Sequence, residues 1–425
     1  MKKTSFKIIV ITIICLSIIE LTSFLIIKFG NLKLEHPIFN RELSLYSTYN
    51  NVASFKHSTI KSNTSEKDVI IDEYGFISKN KIELEKPNNL IRIFITGGSA
   101  SFGTGQSYPY DKIKEYPTGI FSYESSISGQ LLKLLEEKFP DINFEVINAC
   151  ASGRKLNQSL GLYLSSIRRF KPDILISIDG QNDLETIAGI DPFEYDKKIF
   201  LKKYIELYEI EKNLLKTNLP NTVKLIKLIK FNLSNSKSEK FKIKQGEKLF
   251  EYSNNNFTFD KYEVHKSNLI KSSVTFTDLI LLYKSLCKAQ NTEFIFCLQP
   301  MLYRETNKIL TKSESEMKEK INPINISLSN QNISETTLKE YEENGNLILK
   351  FFFDDYLSNQ IDSLSKLNDF EFIDFNKLLE NKHKDTEFYV DYCHLTPEAN
   401  TIIAEILLSK IEPIINQTYN HKTKF

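Results

Sequence analysis

The strongest pattern along the chain is an apolar run from Ile8 to Ile27, preceded by Lys2, Lys3 and Lys7. About 20 residues at ~1.5 Å each reach across a ~30 Å hydrocarbon core. The basic flank predicts a cytoplasmic N-terminus at residues 1–7, a transmembrane anchor at 8–28, and a body exported to the periplasmic or extracellular side. The run is long for the core of a signal peptide, and no Ala-x-Ala site follows it, so an uncleaved anchor is expected. Glu20 interrupts the run. A carboxylate there is costly in lipid unless protonated or paired with another helix.

Residues 29–88 are polar and weakly periodic, and read as a stalk or extension with a short hairpin around Asp72-Glu73-Tyr74-Gly75-Phe76. The pattern then changes. Five apolar, β-rich runs follow: Ile91 to Thr96, Phe144 to Asn148, Ile174 to Asp179, Glu293 to Leu298, and Phe370 to Phe375. Helical patterns lie between most of them, as at Ile127 to Phe139, with Leu131, Leu132 and Leu135 on one face, and at Leu156 to Phe170. Strands alternating with helices predict an α/β fold, a parallel sheet covered on both faces. In such sheets ligands gather beyond the carboxyl ends of the strands. The main domain is expected over 89–417, followed by a tail at 418–425. Two long insertions interrupt it. The first, at 191–290, is Lys-rich and mainly helical, and Val223 to Phe231 has the pattern of a basic amphipathic helix. The second, at 302–364, mixes acidic helical sequence with Asn- and Ser-rich loops.

Composition changes this picture little. In 425 residues, 41% are hydrophobic and 26% charged, as in ordinary globular proteins. The formal net charge of +1 gives no global argument for a nucleic-acid partner. Five cysteines (Cys15, Cys150, Cys287, Cys297 and Cys393) form no Cys-x-x-Cys and no zinc spacing with histidine. No metal and no organic cofactor is expected. Because the body is expected outside the reducing cytoplasm, bridges are possible. Cys150 and Cys393, each next to a chemically suggestive segment, are the candidate pair.

The most suggestive segment is Phe388-Tyr389-Val390-Asp391-Tyr392-Cys393-His394-Leu395-Thr396-Pro397. Asp391 stands three positions before His394, about one helical turn, so both side chains can share a face at the start of a helix. The carboxylate can then hold one ring nitrogen and leave the other to take a proton. That pairing calls for a nucleophile elsewhere. Ser99 is the candidate, because Gly97 and Gly98 allow the sharp turn that lifts its hydroxyl beyond the end of the first strand. The spacing fits neither the α/β-hydrolase elbow, since position 101 is Ser and not Gly, nor a P-loop, since Gly103-Thr104 lacks the lysine. Asn148-Ala149-Cys150-Ala151-Ser152-Gly153 closes the second strand, and Asp179-Gly180-Gln181-Asn182-Asp183 closes the third. A glycine at 153 lets its N–H approach a ligand, and the Asn182 amide could donate into the same cleft. Each turn alone is commonly structural.

Taken together, the order Ser, Gly, Asn, His resembles the four blocks of the SGNH hydrolases, or GDSL esterases, over roughly 90–183 and 290–415. Gly180-Gln181-Asn182-Asp183 and Asp391-Tyr392-Cys393-His394 carry the match, while Gly98 stands where the family most often has Asp. The Gly-Gly-Ser wording with Phe102-Gly103 after it is similar to membrane-anchored members associated with bacterial envelope glycans. The resemblance implies a three-layer α/β/α, flavodoxin-like fold with a central five-stranded, mostly parallel sheet. It implies Ser99 as nucleophile, His394 as general base and then acid, and Asp391 as its orienting carboxylate. The oxyanion hole would be built from the N–H groups of Ser99 and Gly153 and the Asn182 amide. The implied activity is hydrolysis of O-acetyl or other acyl esters on an envelope or extracellular carbohydrate. An O-acyltransferase would use the same residues. A non-catalytic envelope binding or assembly protein is the alternative from another class, although such a protein has no need of Ser99, Asp391 and His394 together.

Overall fold

The computed structural model describes residues 2–29, 69–105, 122–183, 220–226, 259–304, 306–320, 351–380 and 383–422, with short pieces at 41–42, 50–51, 56–57, 119–120 and 229. Most of the expected extension 29–88, most of the insertion 191–290 and the middle of the insertion 302–364 lie outside the described residues. The chain divides into two compact units. One holds Met1–Asn40 and Phe193–Glu251, the other Arg41–Pro192 and Tyr252–Phe425.

In the first unit the helix α1 covers Lys2–Phe29. Its side chains are described over only part of that length. Among the described residues no helix is long and apolar enough to cross a membrane.

The second unit is built on five strands: β1 (Leu90–Gly97), β2 (Asn143–Asn148), β3 (Ile174–Asp179), β4 (Glu293–Leu298) and β5 (Glu371–Asp374). They pair in the order β5-β4-β3-β1-β2, and every pair is parallel. β1 therefore sits between β2 and β3, so the chain winds outward in opposite directions from the centre of the sheet. Such a switch point leaves a crevice beyond the carboxyl ends of the strands that flank it. α2 (Ser99–Phe102) follows β1 at once, and α3 (Ile127–Lys138) leads into β2. α4 (Leu156–Ser165) lies between β2 and β3, and α5 (Phe259–Lys288) crosses from β3 to β4. α6 (Lys312–Lys320) and α7 (Ser358–Asn368) precede β5. α8 (Phe375–Leu378) follows it, and α9 (Pro397–Lys422) ends the fold. α5, expected within the insertion 191–290, is thus the crossover helix of the sheet. α9 runs past the expected domain end at 417.

Successive strand residues point to opposite faces, and here the two faces differ in kind. Ile91, Ile93 and Ile95 of β1 join Val146, Ile174, Ile176, Ile178, Ile295 and Ile373 in an aliphatic layer under α3 and α9. On the other side rings meet in succession: Phe94 against Phe76 and Phe170, Tyr283 against Phe294, Phe276 against Phe296, and Phe296 against Phe372. Strands covered on both faces are apolar at nearly every position, which explains why they are continuous runs in the sequence.

The turn at 72–76 belongs to this core and not to a stalk. Asp72 Oδ1 accepts the N–H groups of Tyr74 (2.9 Å) and Phe76 (2.8 Å), and Gly75 takes φ +84°. Ile71, Phe76, Ile77 and Ile82 are buried, and Ile77 bridges to Asn148 at the end of β2.

Candidate active site

All four suggestive segments reach the carboxyl end of the sheet. β1 ends in Gly97 at φ +152°, where a side chain would come within 2.2 Å of the Ile178 carbonyl oxygen of β3. Glycine is therefore required by close strand packing, and the chain can turn directly into Ser99. The Asn148 side chain holds that turn from β2. Its amide donates to the carbonyls of Ser101 (3.3 Å) and Phe102 (3.4 Å), while its oxygen accepts the Cys150 N–H (3.0 Å).

Asp391 and His394 do not share a helical face, contrary to the expectation from their spacing. Residues 388–396 are not helical, and α9 begins only at Pro397. The segment folds back on itself: the Val390 N–H donates to the His394 carbonyl (2.9 Å) and the Thr396 N–H to that of Phe388 (3.1 Å). Inside it Asp391 Oδ1 accepts the N–H groups of Cys393 (2.9 Å) and His394 (2.8 Å), an Asx-type turn. The other oxygen, Oδ2, lies 2.6 Å from His394 Nδ1. A turn thus achieves what a helical face was expected to do, and it uses both carboxylate oxygens.

His394 Nε2 lies 2.7 Å from Ser99 Oγ, across 295 positions of sequence. The structure therefore places hydroxyl, imidazole and carboxylate in one hydrogen-bonded line. Asp391 and His394 are buried, and Ser99 is half-buried. The loop is held from outside by groups no local signal marks. Gln299, just after β4, donates from Nε2 to the Cys393 carbonyl (3.2 Å), and the Leu302 N–H donates to that of Tyr392 (3.0 Å). Glu314, ion-paired with a fully buried Lys308, accepts the Phe388 N–H (2.7 Å).

The turns that carry Gly153 and Asn182 lie against each other. Gly153 takes φ +71° in the turn after β2. Asn182 Nδ2 donates to the carbonyl of the next residue, Arg154 (2.9 Å). One position on, Asp183 Oδ1 accepts the Leu156 N–H at the start of α4 (3.0 Å). The turns after β2 and β3 are therefore fastened to each other twice. A side-chain carbon on Gly98 would lie only 2.4 Å from Asn182 Nδ2, so Asn182 also sits against the turn that carries Ser99. A primary amide has two N–H donors. Arg154 takes one. Asp183 and Asn148 stood in the sequence beside the chosen residues, but nothing in their spacing marked them as clamps.

Burial opposes a charged His394, but the neighbouring Cys393 sulfur and the Asp391 carboxylate outweigh it and hold its pKa well above the ordinary 6.5. Burial would likewise raise Asp391, yet the His394 ring and the N–H groups of its own turn keep it below the usual carboxylate value. A general base must be unprotonated, so with His394 in that role activity would be lost as pH falls through its pKa. The acid limb of kcat/KM is accordingly expected above pH 6.5, and Asp391→Asn should move it downward while lowering turnover. A wild-type limb below that value would contradict the upward shift of His394. Beneath the site Asp179 is also shifted upward, by burial and by Asp183.

Asp391, Cys393 and His394 offer ligand atoms within 4.8 Å of one another. In the hydrogen-bonded arrangement both ring nitrogens already face Asp391 and Ser99, and a metal at Nδ1 would have to displace the carboxylate. No disulfide joins Cys150 and Cys393. Cys150 Sγ lies 3.4 Å from the Ile95 carbonyl, and Cys393 Sγ lies 3.8 Å from His394 Nδ1.

No family model and no curated protein matches the chain. Solved structures with some likeness include an acetylxylan esterase from Geobacillus stearothermophilus, at 12% identity over 76% of this chain and 94% of that one, with a TM-score of 0.33. Another is an acetyl xylan esterase at 12% identity over 76% of this chain and 100% of that one, with a TM-score of 0.31. Likeness at that level carries no argument about chemistry, which rests on the distances above. In the order of its four segments and in their placement around one end of a parallel sheet, the chain is similar to the SGNH hydrolases.

Proposed function

We propose that the chain is a serine ester hydrolase, tethered to a membrane by residues 8–28 with its catalytic domain exported. Its substrate would be O-acetyl or other acyl esters of an envelope or extracellular carbohydrate. The observation that carries the hydrolase reading is the unbroken line from Ser99 Oγ through the His394 ring to Asp391 Oδ2, with separations of 2.7 and 2.6 Å. In the first step Ser99 Oγ bonds to the ester carbonyl carbon and its proton passes to His394 Nε2. Asp391 holds the imidazolium that forms, without taking its proton. The carbonyl oxygen becomes an oxyanion facing the Asn182 amide and the N–H groups of Ser99 and Gly153. Collapse breaks the bond to the alcohol, which leaves with the proton from Nε2. Water then repeats the cycle on the acyl-enzyme and releases the carboxylate.

The carbohydrate assignment rests on the resemblance of the Gly-Gly-Ser segment, and the anchor on the sequence of residues 2–28. The purified full chain should release acid from p-nitrophenyl esters, best at short acyl length, and from O-acetylated polysaccharide. Labelling of Ser99 by a fluorophosphonate should accompany that activity. Absence of both turnover and labelling would refute the hydrolase and favour a binding role. Acyl groups appearing on an added glycan acceptor, with little free acid, would identify an acyltransferase using the same residues.

A further inference from the structure

The unit formed by Met1–Asn40 and Phe193–Glu251 joins two features that the catalytic reading leaves unused: Glu20 in the apolar run, and the amphipathic stretch of the first insertion. Residues 221–226 are helical, and the Pro220 carbonyl accepts the N–H groups of Val223 (3.0 Å) and Lys224 (3.1 Å). The N–H groups of Asn221 and Thr222 are then first-turn donors with no acceptor in their own helix. Glu20 supplies it. Its carboxylate accepts the Asn221 N–H, the Thr222 N–H (3.0 Å) and the Thr222 hydroxyl (2.8 Å). One turn along α1, the buried Ser23 hydroxyl donates to Thr222 Oγ1 (3.3 Å).

The surroundings of this polar knot are apolar and outward-facing. Leu16, Leu21 and Phe24 of α1 are exposed, as are Val223, Ile226 and Ile229, spaced three apart along the insertion. In water so much exposed apolar surface would be unfavourable. In lipid the balance reverses: side chains are satisfied, and the costs fall on an unpaired carboxylate and on unbonded helix-end N–H groups. The Glu20–Thr222 contact lowers both costs at once.

We infer that residues 220–226 form a second membrane-embedded element, docked on α1 through Glu20 and Ser23, with lipid acyl chains covering the apolar surface the two share. The inference rests on the reading of 8–28 as an anchor. The insertion is then part of the tether rather than an ornament of the catalytic domain.

The test uses the full chain in membranes on a Cys15→Ala background, where the remaining cysteines are buried. Ser23→Cys with Thr222→Cys should form an intramolecular disulfide under mild oxidation. Adding Glu20→Leu should abolish it, and adding Glu20→Gln, which keeps an acceptor, should preserve it. Ile226→Cys alone should resist a water-soluble maleimide in intact membranes and react once detergent is added. Release of the chain by alkaline washing would overturn the anchor, and this inference with it. Retention without the cross-link, or undiminished maleimide reaction in intact membranes, would overturn the inference alone. A cross-linked dimer in place of the monomeric product would give the surface to a second copy and refute lipid as its occupant.

Discussion

Ser99→Ala is expected to lower kcat by about 10⁶-fold and to abolish fluorophosphonate labelling, because a nucleophile and base that act as one unit fail together. His394→Ala should cost about as much. The double variant should cost little more than either alone, since Ser99 Oγ and His394 Nε2 share one proton at 2.7 Å. Independent roles would instead multiply the losses. Ser101 provides the internal control. It is fully buried in α2 and its hydroxyl lies close to Gly97. Ser101→Ala should therefore keep both turnover and labelling. Peptide mapping that finds the label on Ser101, or a Ser99→Ala protein with ordinary turnover, would dismantle the site.

How much of this could be read from sequence depends on how local each interaction is. The strands were legible to within a residue at most ends, because a doubly covered parallel strand is apolar at nearly every position. The glycines were legible too, since Gly97, Gly153 and Gly180 adopt positive φ where the chain leaves the sheet. The four site segments could be chosen by type and order. For the three that follow β1, β2 and β3, convergence at the carboxyl end of the sheet follows from the strand order, with β1 between β2 and β3, whereas the His394 segment follows β5 at the far edge. What could not be read is pairing between distant polar groups. Arg92 stands inside β1, where a charge argues against a buried strand. It is tolerated because Glu145, 53 positions on, meets its Nε at 2.6 Å, and the Phe170 carbonyl, 78 positions on, accepts from it at 2.8 Å. The pair Lys308 and Glu314, which steadies the strand of chain before Asp391, is hidden in the same way inside a segment that looks like a polar insertion. The Asp391–His394 spacing was informative, but its geometry was not. Three intervening bonds can be spanned by a helical turn or by an Asx turn, and only the hydrogen bonds to Asp391 Oδ1 decide which.

Asn182→Ala should lower kcat by roughly 10²- to 10³-fold, or about 2.7–4 kcal/mol of transition-state stabilisation, with KM little changed. The asymmetry between kcat and KM follows from when the charge appears. A neutral ester carbonyl gains little from the second amide N–H, whereas the oxyanion gains much, so the loss falls on the transition state. Folding should survive, because the substitution forfeits one hydrogen bond to the Arg154 carbonyl, worth about 1 kcal/mol. The Asp183 bond to the Leu156 N–H still fastens the same two turns. Gly98→Ala approaches the same donor from the opposite side. Its added carbon would lie 2.4 Å from Nδ2, and the amide must swing away from where it stands. Its kcat should fall in the same direction, and in an Asn182→Ala background it should have little left to remove. Steady-state kinetics on a short-chain ester, together with the thermal midpoints of the three proteins, decide the matter. If Asn182→Ala keeps full turnover, or if its loss appears in KM and not in kcat, the amide binds ground state or nothing, and the oxyanion must be held elsewhere.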